Sequence, residues 1–244
     1  GLLIIMKELI KHKIKHNFER VLRSLKWVIF SILSGIIIGS VGTLFYFGMS
    51  LVTLMRTKNP WLIFLLPIGG LMIVGLYRIS HNEKDSGTNL VLSAIQSQDE
   101  IPLRMAPLIF ISTLITHLFG GSAGREGAAL QLGGSIGNGL GRLFGFDEKD
   151  KHIMIMCGMS AAFSALFGTP MAAAVFSMEV VSVGIMHYSA LVPCVIAALI
   201  AHGIASSFGI SAEHFSIAGM PNFTIRSAVI ISVLAVLCAL VSIL

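Results

Sequence analysis

Residues 120–141 read GGSAGREGAALQLGGSIGNGLG, and they set Arg125 beside Glu126 in a glycine-rich stretch that carries no other charge until its end. No Lys, Arg, Asp or Glu lies between Arg104 and Arg125, and none lies between Glu126 and Arg142. The spacing therefore puts the pair inside an apolar layer. An ionisable group at that depth costs about 2.5 kcal/mol or more and marks a functional site by default. Glycines on either side let the backbone turn sharply and aim N–H groups at a ligand. The stretch predicts a broken helix whose N-terminus faces an anion near the bilayer midplane.

Working outward, the composition fixes the solvent. Of 244 residues, 55% are hydrophobic and 12% charged, and the mean hydropathy is +0.87. A soluble domain could not cover itself with so few charges, so the chain reads as an all-α polytopic membrane protein. The net charge of +5 is concentrated near the start, where Lys7, Lys11, Lys13, Lys15, Arg20, Arg23 and Lys26 outnumber Glu8 and Glu19. In so apolar a chain this cluster reads as a positive-inside signal that keeps the N-terminus cytoplasmic in a cell membrane, not as a nucleic-acid surface. Residues 1–5 are too short an apolar run for a signal peptide, and the first span is expected to serve as its own insertion signal. Cys157, Cys194 and Cys238 fall in apolar runs without CxxC or Cys/His spacing and read as packing residues. His81, His117, His187 and His202 are scattered and read as hydrogen-bonded or interfacial side chains. Neither a metal nor a cofactor is implied.

Along the chain, residues 7–26 are expected to form a basic amphipathic helix on the cytoplasmic surface, separate from a transmembrane domain over 27–244. Residues 27–55 carry no charge and exceed the length of a span, so that helix must tilt or extend beyond the hydrocarbon. Its Gly35, Gly39 and Gly42 invite a close neighbour. Pro60 restarts the chain, and 61–77 forms a second span, in which Gly69, Gly70 and Gly75 also suggest close packing. Residues 87–97 look like a glycine turn feeding a helix too short to span; an ordinary loop with a capping hydroxyl is the competing reading. Pro102 opens the helix that leads to Gly120. After the polar patch at 147–152, residues 153–178 are divided at Gly168-Thr169-Pro170. Spans at 185–207 and 225–244 follow, and the end inside an apolar run suggests a fragment.

With these pieces placed, the chain from about residue 25 onward resembles the CLC family of chloride channels and anion/proton antiporters. GREGA at 124–128 is similar to the family's GREGP gating motif. AAFSALFGTPMAAAVFSMEV at 161–180 resembles the segment that follows it. The resemblance implies an inverted-repeat fold with broken helices, of which this chain covers the first half and the start of the second. It also implies a homodimer in the lipid bilayer with one pore per subunit.

Residue by residue, the resemblance makes Glu126 the gating and proton-coupling glutamate. Its carboxylate mimics the anion, so protonation and anion occupancy become linked; the competing reading is that Glu126 merely neutralises Arg125. Gly87, Thr88, Gly124, Arg125, Gly127 and Ala128 become the anion-binding set, with Arg125 in a largely structural role, partnered by Glu179 or a carbonyl. Ser86 is the alternative donor to Thr88. The family's GSGIP motif corresponds to Gly87-Thr88-Asn89-Leu90-Val91, the GREGP proline to Ala128, and an inner proton-relay glutamate to Val180. These departures resemble the fluoride/proton antiporter branch. The expected function is export of fluoride in exchange for protons, with chloride channel or chloride/proton exchange as the alternative on the same fold. A membrane-embedded enzyme using Glu126 or His117 lacks an accompanying nucleophile or metal motif, and a purely structural subunit is the remaining option.

Overall fold

The computed structural model describes residues 2–80, 88–96, 101–147, 150–180, 186–212, 219 and 224–243, excepting the side chains of residues 2–10, 12, 14, 88, 89, 93 and 96. It is helical throughout, with no strand among the described residues. The chain divides into two units, residues 1–212 and residues 213–244, which are taken separately.

The first helix, α1 (Leu2–Lys58), is 57 residues long. At 1.5 Å per residue it runs for about 85 Å, far more than the ~30 Å of a hydrocarbon layer. The break expected near Trp27 is absent. The basic stretch and the first span are one helix, because charge density falls at Trp27 while nothing there, neither proline nor glycine, interrupts the i to i−4 bonds. A 3-10 turn (Pro60–Leu65) then leads into α2 (Leu66–Ile79). Together they give a stretch of 20 residues, long and apolar enough to cross a bilayer. Leu71, Val74 and Ile79 point outward, a surface suited to lipid and costly in water. Of the three α2 glycines expected to be packed, Gly69 is packed, against Phe119, while Gly70 and Gly75 have no neighbour among the described residues within 4 Å of a Cβ position. Glycine spacing cannot tell which face finds a partner.

Four short helices follow: α3 (Thr88–Gln96), α4 (Met105–Leu118), α5 (Glu126–Leu143) and α6 (Lys151–Phe167). The last is the centre of the unit. Ile155, Met156, Cys157, Met159, Ala161, Ala162 and Ala165 are all fully buried, so α6 is enclosed on every side, as expected of a helix that is apolar all round. It packs against α5, α1, α7 (Pro170–Glu179) and α8 (Leu191–Ser207).

Small residues set these distances. A Cβ added at Gly133 would sit 2.7 Å from Ala162 Cβ, and one at Gly158 would sit 2.9 Å from Gly137 Cα and closer still to the Gly133 carbonyl. Thus α5 and α6 touch backbone to backbone through Gly133, Gly137 and Gly158. Gly35 and Gly39 of α1 likewise meet Ala197, Ile200 and Ala201 of α8, and Gly42 meets Ala165 of α6, as the sequence spacing predicts. Between α6 and α8, Ser160 donates to the Cys194 carbonyl at 3.0 Å and Ser164 to the Ala198 carbonyl at 2.7 Å. The Cys157 thiol approaches the Pro193 carbonyl at 3.5 Å.

The expected division at 168–170 is present. Gly168 ends α6 with φ 69°, and Pro170 opens α7 at a position whose N–H has no helical partner. In the second unit, α9 (Ile225–Ile243) is 19 residues long and apolar enough to cross a membrane.

Candidate functional site

The break around residue 120 is built in two parts. Gly120, at φ 77°, closes α4 in the left-handed conformation that glycine adopts without strain. The Gly120 amide bonds to the His117 carbonyl at 3.1 Å and the Gly121 amide to the Thr116 carbonyl at 2.8 Å. This is a glycine-ended C-terminus that satisfies the orphan carbonyls of the last turn. Gly120 and Gly121 therefore finish one helix, where the sequence reading had them begin the next.

The new helix begins at Glu126, with Arg125 at the capping position and no side-chain cap. Its first intrahelical bond runs from the Ala129 amide to the Arg125 carbonyl at 2.9 Å. The amides of Glu126, Gly127 and Ala128 thus belong to the turn whose N–H groups have no helical acceptor, and the positive end of the helix dipole lies there. The Glu126 carboxylate folds back beside Gly124, in space that a Cβ on residue 124 would fill. Burial differs along the motif. Ala128 is buried in a cluster with Phe45, Leu132 and Leu166, Arg125 and Gly127 are half-buried, and Gly124 and Glu126 are exposed. The sequence reading put the pair within the apolar layer and did not say whether protein covers it. In this chain the carboxylate stands at the surface of the bundle.

Arg125 turns elsewhere. Its guanidinium carbon lies 5.7 Å from the centroid of Phe167, at the end of α6, within reach of a cation–π interaction. It also lines a cavity of about 330 Å³ with Tyr46, Met49, Ser50, Thr53 and His117. His117 Nδ1 is 2.9 Å from the Thr113 carbonyl, in keeping with the hydrogen-bonded role read from sequence. Glu179 is exposed at the end of α7. Tyr46 and Thr53 carry no motif, and Phe167, although inside the 161–180 segment, lies far from Arg125 in sequence, so only the fold brings the three to it.

Thr88 is the first residue of α3; its side chain, together with Gly87 and Ser86, lies outside the described residues. Three residues on, Val91 is fully buried and shares a cluster with Leu130, on the second turn of α5, and with Met105, Ile155 and Met159. A Cβ on Gly134 would fall 2.8 Å from Val91 Cγ1. The two short helices singled out by sequence thereby meet in one core, through Val91 of α3 and Leu130 and Gly134 of α5. Ile101 and Pro102, which precede α4, are tied to α5 through Asn138 Nδ2 at 3.1 Å and Ser135 Oγ at 2.8 Å from their carbonyls. Val180 packs at the edge of the same cluster as Val91.

An all-helical bundle with apolar outer faces, glycine-tight helix contacts and helices broken inside it defines a polytopic membrane protein of the transporter and channel type. Residues 69–244 match the family model described as voltage gated chloride channel, and the chain belongs to that family. It is 38% identical over 193 residues to a chloride/fluoride channel protein of Pseudomonas syringae pv. tomato, covering 79% of this chain and 43% of that protein. It is 26% identical over 160 residues to the H(+)/Cl(-) exchange transporter ClcA of Vibrio campbellii, covering 59% and 34%. Among solved structures, it superimposes on a CLC-type fluoride/proton antiporter with a TM-score of 0.74 and 36% identity, over 82% of this chain and 51% of that one. A slow cyanobacterial Cl-/H+ antiporter shares the fold at a TM-score of 0.71 and 19% identity, over 87% and 53%. The chain thus spans about half the length of the relatives it matches.

Proposed function

We propose that the protein containing this chain exchanges fluoride for protons across a cell membrane, exporting fluoride, with Glu126 as the gate and the proton-coupling group. The observation that carries the proposal is the position of Glu126: an acid on the first residue of a helix of the membrane bundle, with a second short helix packed through Val91 against Leu130 of that same helix. Amides without helical acceptors attract an anion there. A carboxylate at the same place competes with that anion when ionised and yields when protonated, so the two occupancies become linked. The branch is favoured by the 36% identity to the fluoride/proton antiporter, by Ala128 in place of the motif's proline, and by Val180 where chloride/proton exchangers of the family carry a glutamate.

Fluoride is smaller and more strongly hydrated than chloride, so a selective site must replace its water with close donors. The amides of residues 124–128 are assigned that role together with Gly87 and Thr88, Ser86 being the alternative hydroxyl. The added methyl of Thr88 narrows the site against the larger ion. The working unit is a homodimer in the bilayer with its N-terminus in the cytoplasm, where residues 2–26 of α1 extend beyond the span. Chloride transport on the same fold is the second reading, favoured by the hydroxyl that Thr88 retains. The deciding measurement is electrode-monitored efflux of fluoride and of chloride from liposomes holding the full-length protein. Fluoride efflux in excess is expected; equal rates or a chloride preference would overturn the fluoride reading and leave anion transport standing.

A further inference from the structure

A second cavity lies away from Glu126, where α1 passes the loop joining α5 to α6. It has a volume of about 710 Å³ and is lined by Leu22, Arg23, Leu25, Lys26, Ile29, Gly145, Phe146, Asp147 and Asp150. Charge and polarity are sorted within it. Leu22, Lys26 and Ile29 follow i, i+4, i+7 spacing and so share one face of α1, with Arg23 beside them. Leu22, Leu25 and Ile29 are exposed. Asp147 and Asp150 line it from the segment between α5 and α6. Lys26 is held in place by the Gly145 carbonyl at 3.2 Å and by the Phe146 ring, whose centroid is 4.2 Å from its Nζ. Neither of these partners is a carboxylate. Trp27 stacks on Phe146 at 4.2 Å between ring centroids, and a tryptophan beside lysine and arginine at the end of an apolar span is the usual marker of the membrane–water boundary.

We propose that this cavity binds the headgroup of a phospholipid bearing a primary amine, phosphatidylethanolamine, with its acyl chains along Leu22, Leu25 and Ile29. Arg23 and Lys26 offer a phosphate diester charge-assisted donors. Asp147 and Asp150 take the ammonium. A wholly anionic headgroup would gain the first contact and be repelled by the second. A choline headgroup cannot donate a hydrogen bond to the carboxylates, and the aromatic face that would attract a quaternary ammonium is already covered by Lys26. Both walls of the cavity are therefore satisfied together by a zwitterion that keeps its N–H donors.

The inference rests on the chain being membrane-embedded and not on which anion it carries. The test is native mass spectrometry of the protein, delipidated in detergent and then offered phosphatidylethanolamine, its N-monomethyl and N,N-dimethyl derivatives, phosphatidylcholine and phosphatidylglycerol, all of one acyl composition. Retention of phosphatidylethanolamine about tenfold above phosphatidylcholine is expected, the ratio for one charge-assisted hydrogen bond, with a fall at each added methyl. In the Asp147→Asn/Asp150→Asn variant that preference should vanish and phosphatidylglycerol should gain. Equal retention along the methyl series, phosphatidylglycerol above phosphatidylethanolamine on the unaltered protein, or an unchanged preference in the double variant would overturn the proposal. The methyl series alters only the lipid, so it decides the matter even where the variant folds poorly.

Discussion

The contact between α5 and α6 can be tested with a single methyl group. In Gly158→Ala the new Cβ would meet Gly137 Cα at 2.9 Å, and the Gly133 carbonyl closer still, where ordinary contact begins at 3.4 Å. Both obstacles are backbone, so no rotamer change relieves them, and the helices must separate by about 1 Å. A gap of that size forfeits roughly a quarter to a half of each dispersion contact across the seam. Adding overpacking of the usual size gives a loss of about 2–3 kcal/mol. For a chain of this length the thermal midpoint would fall by roughly 4–12 °C. The control is Gly70→Ala, on a helix face with nothing within 4 Å, where removing a helical glycine gains about 0.5–1 kcal/mol. Thermal unfolding in detergent, followed by the loss of monodisperse protein on size exclusion, reads both. If Gly158→Ala melts no earlier than Gly70→Ala, the glycine seam is not what sets the α5–α6 distance.

Two further outcomes are expected. Glu126→Gln should abolish proton movement driven by an anion gradient in liposomes holding the full-length protein, since the amide cannot titrate; normal coupling in that variant would remove Glu126 from the role proposed for it. Gly168→Ala places a side chain at φ 69°, with its Cβ 2.7 Å from the Ala212 amide nitrogen, so a loss of about 2–3 kcal/mol is expected from the left-handed backbone and the clash together; a melting temperature equal to the parent protein's would refute it.

The places where the chain breaks were legible because their chemistry is local. Gly168-Thr169-Pro170 stops one helix and starts another by rules that need no tertiary information; the break at Gly120 was legible as a place, though its glycines end α4 and do not open α5. The small-residue spacing at Gly35, Gly39 and Gly42 was also sufficient, since a long uncharged helix with one smooth stripe must turn that stripe toward a neighbour. The helix expected over 7–26 runs on into the span without a break, because charge reports the surrounding solvent, whereas helix continuity depends on the backbone. Gly133, Gly137 and Gly158 lay in plain view, yet their pairing required knowing that α5 and α6 are adjacent. The Arg125 contact with Phe167 was hidden in the same way: the two are 42 positions apart, and nothing in either residue type specifies the other.

The hydroxyls that Ser160 and Ser164 extend to α8 bear on how the bundle can work. Each reaches a different carbonyl, and the two serines stand four residues apart on α6 as their acceptors do on α8, so both bonds hold in the same register. Sliding α8 by a fraction of a turn would pull both serines off their carbonyls at once in a medium with no water to replace them. The two helices therefore travel as a single beam, and the glycine seam couples that beam to α5. The Glu126 side chain and the seven residues from Phe119 to Arg125 that join α4 to α5 lie outside this gearing, and under the function proposed above they are where rearrangement is expected.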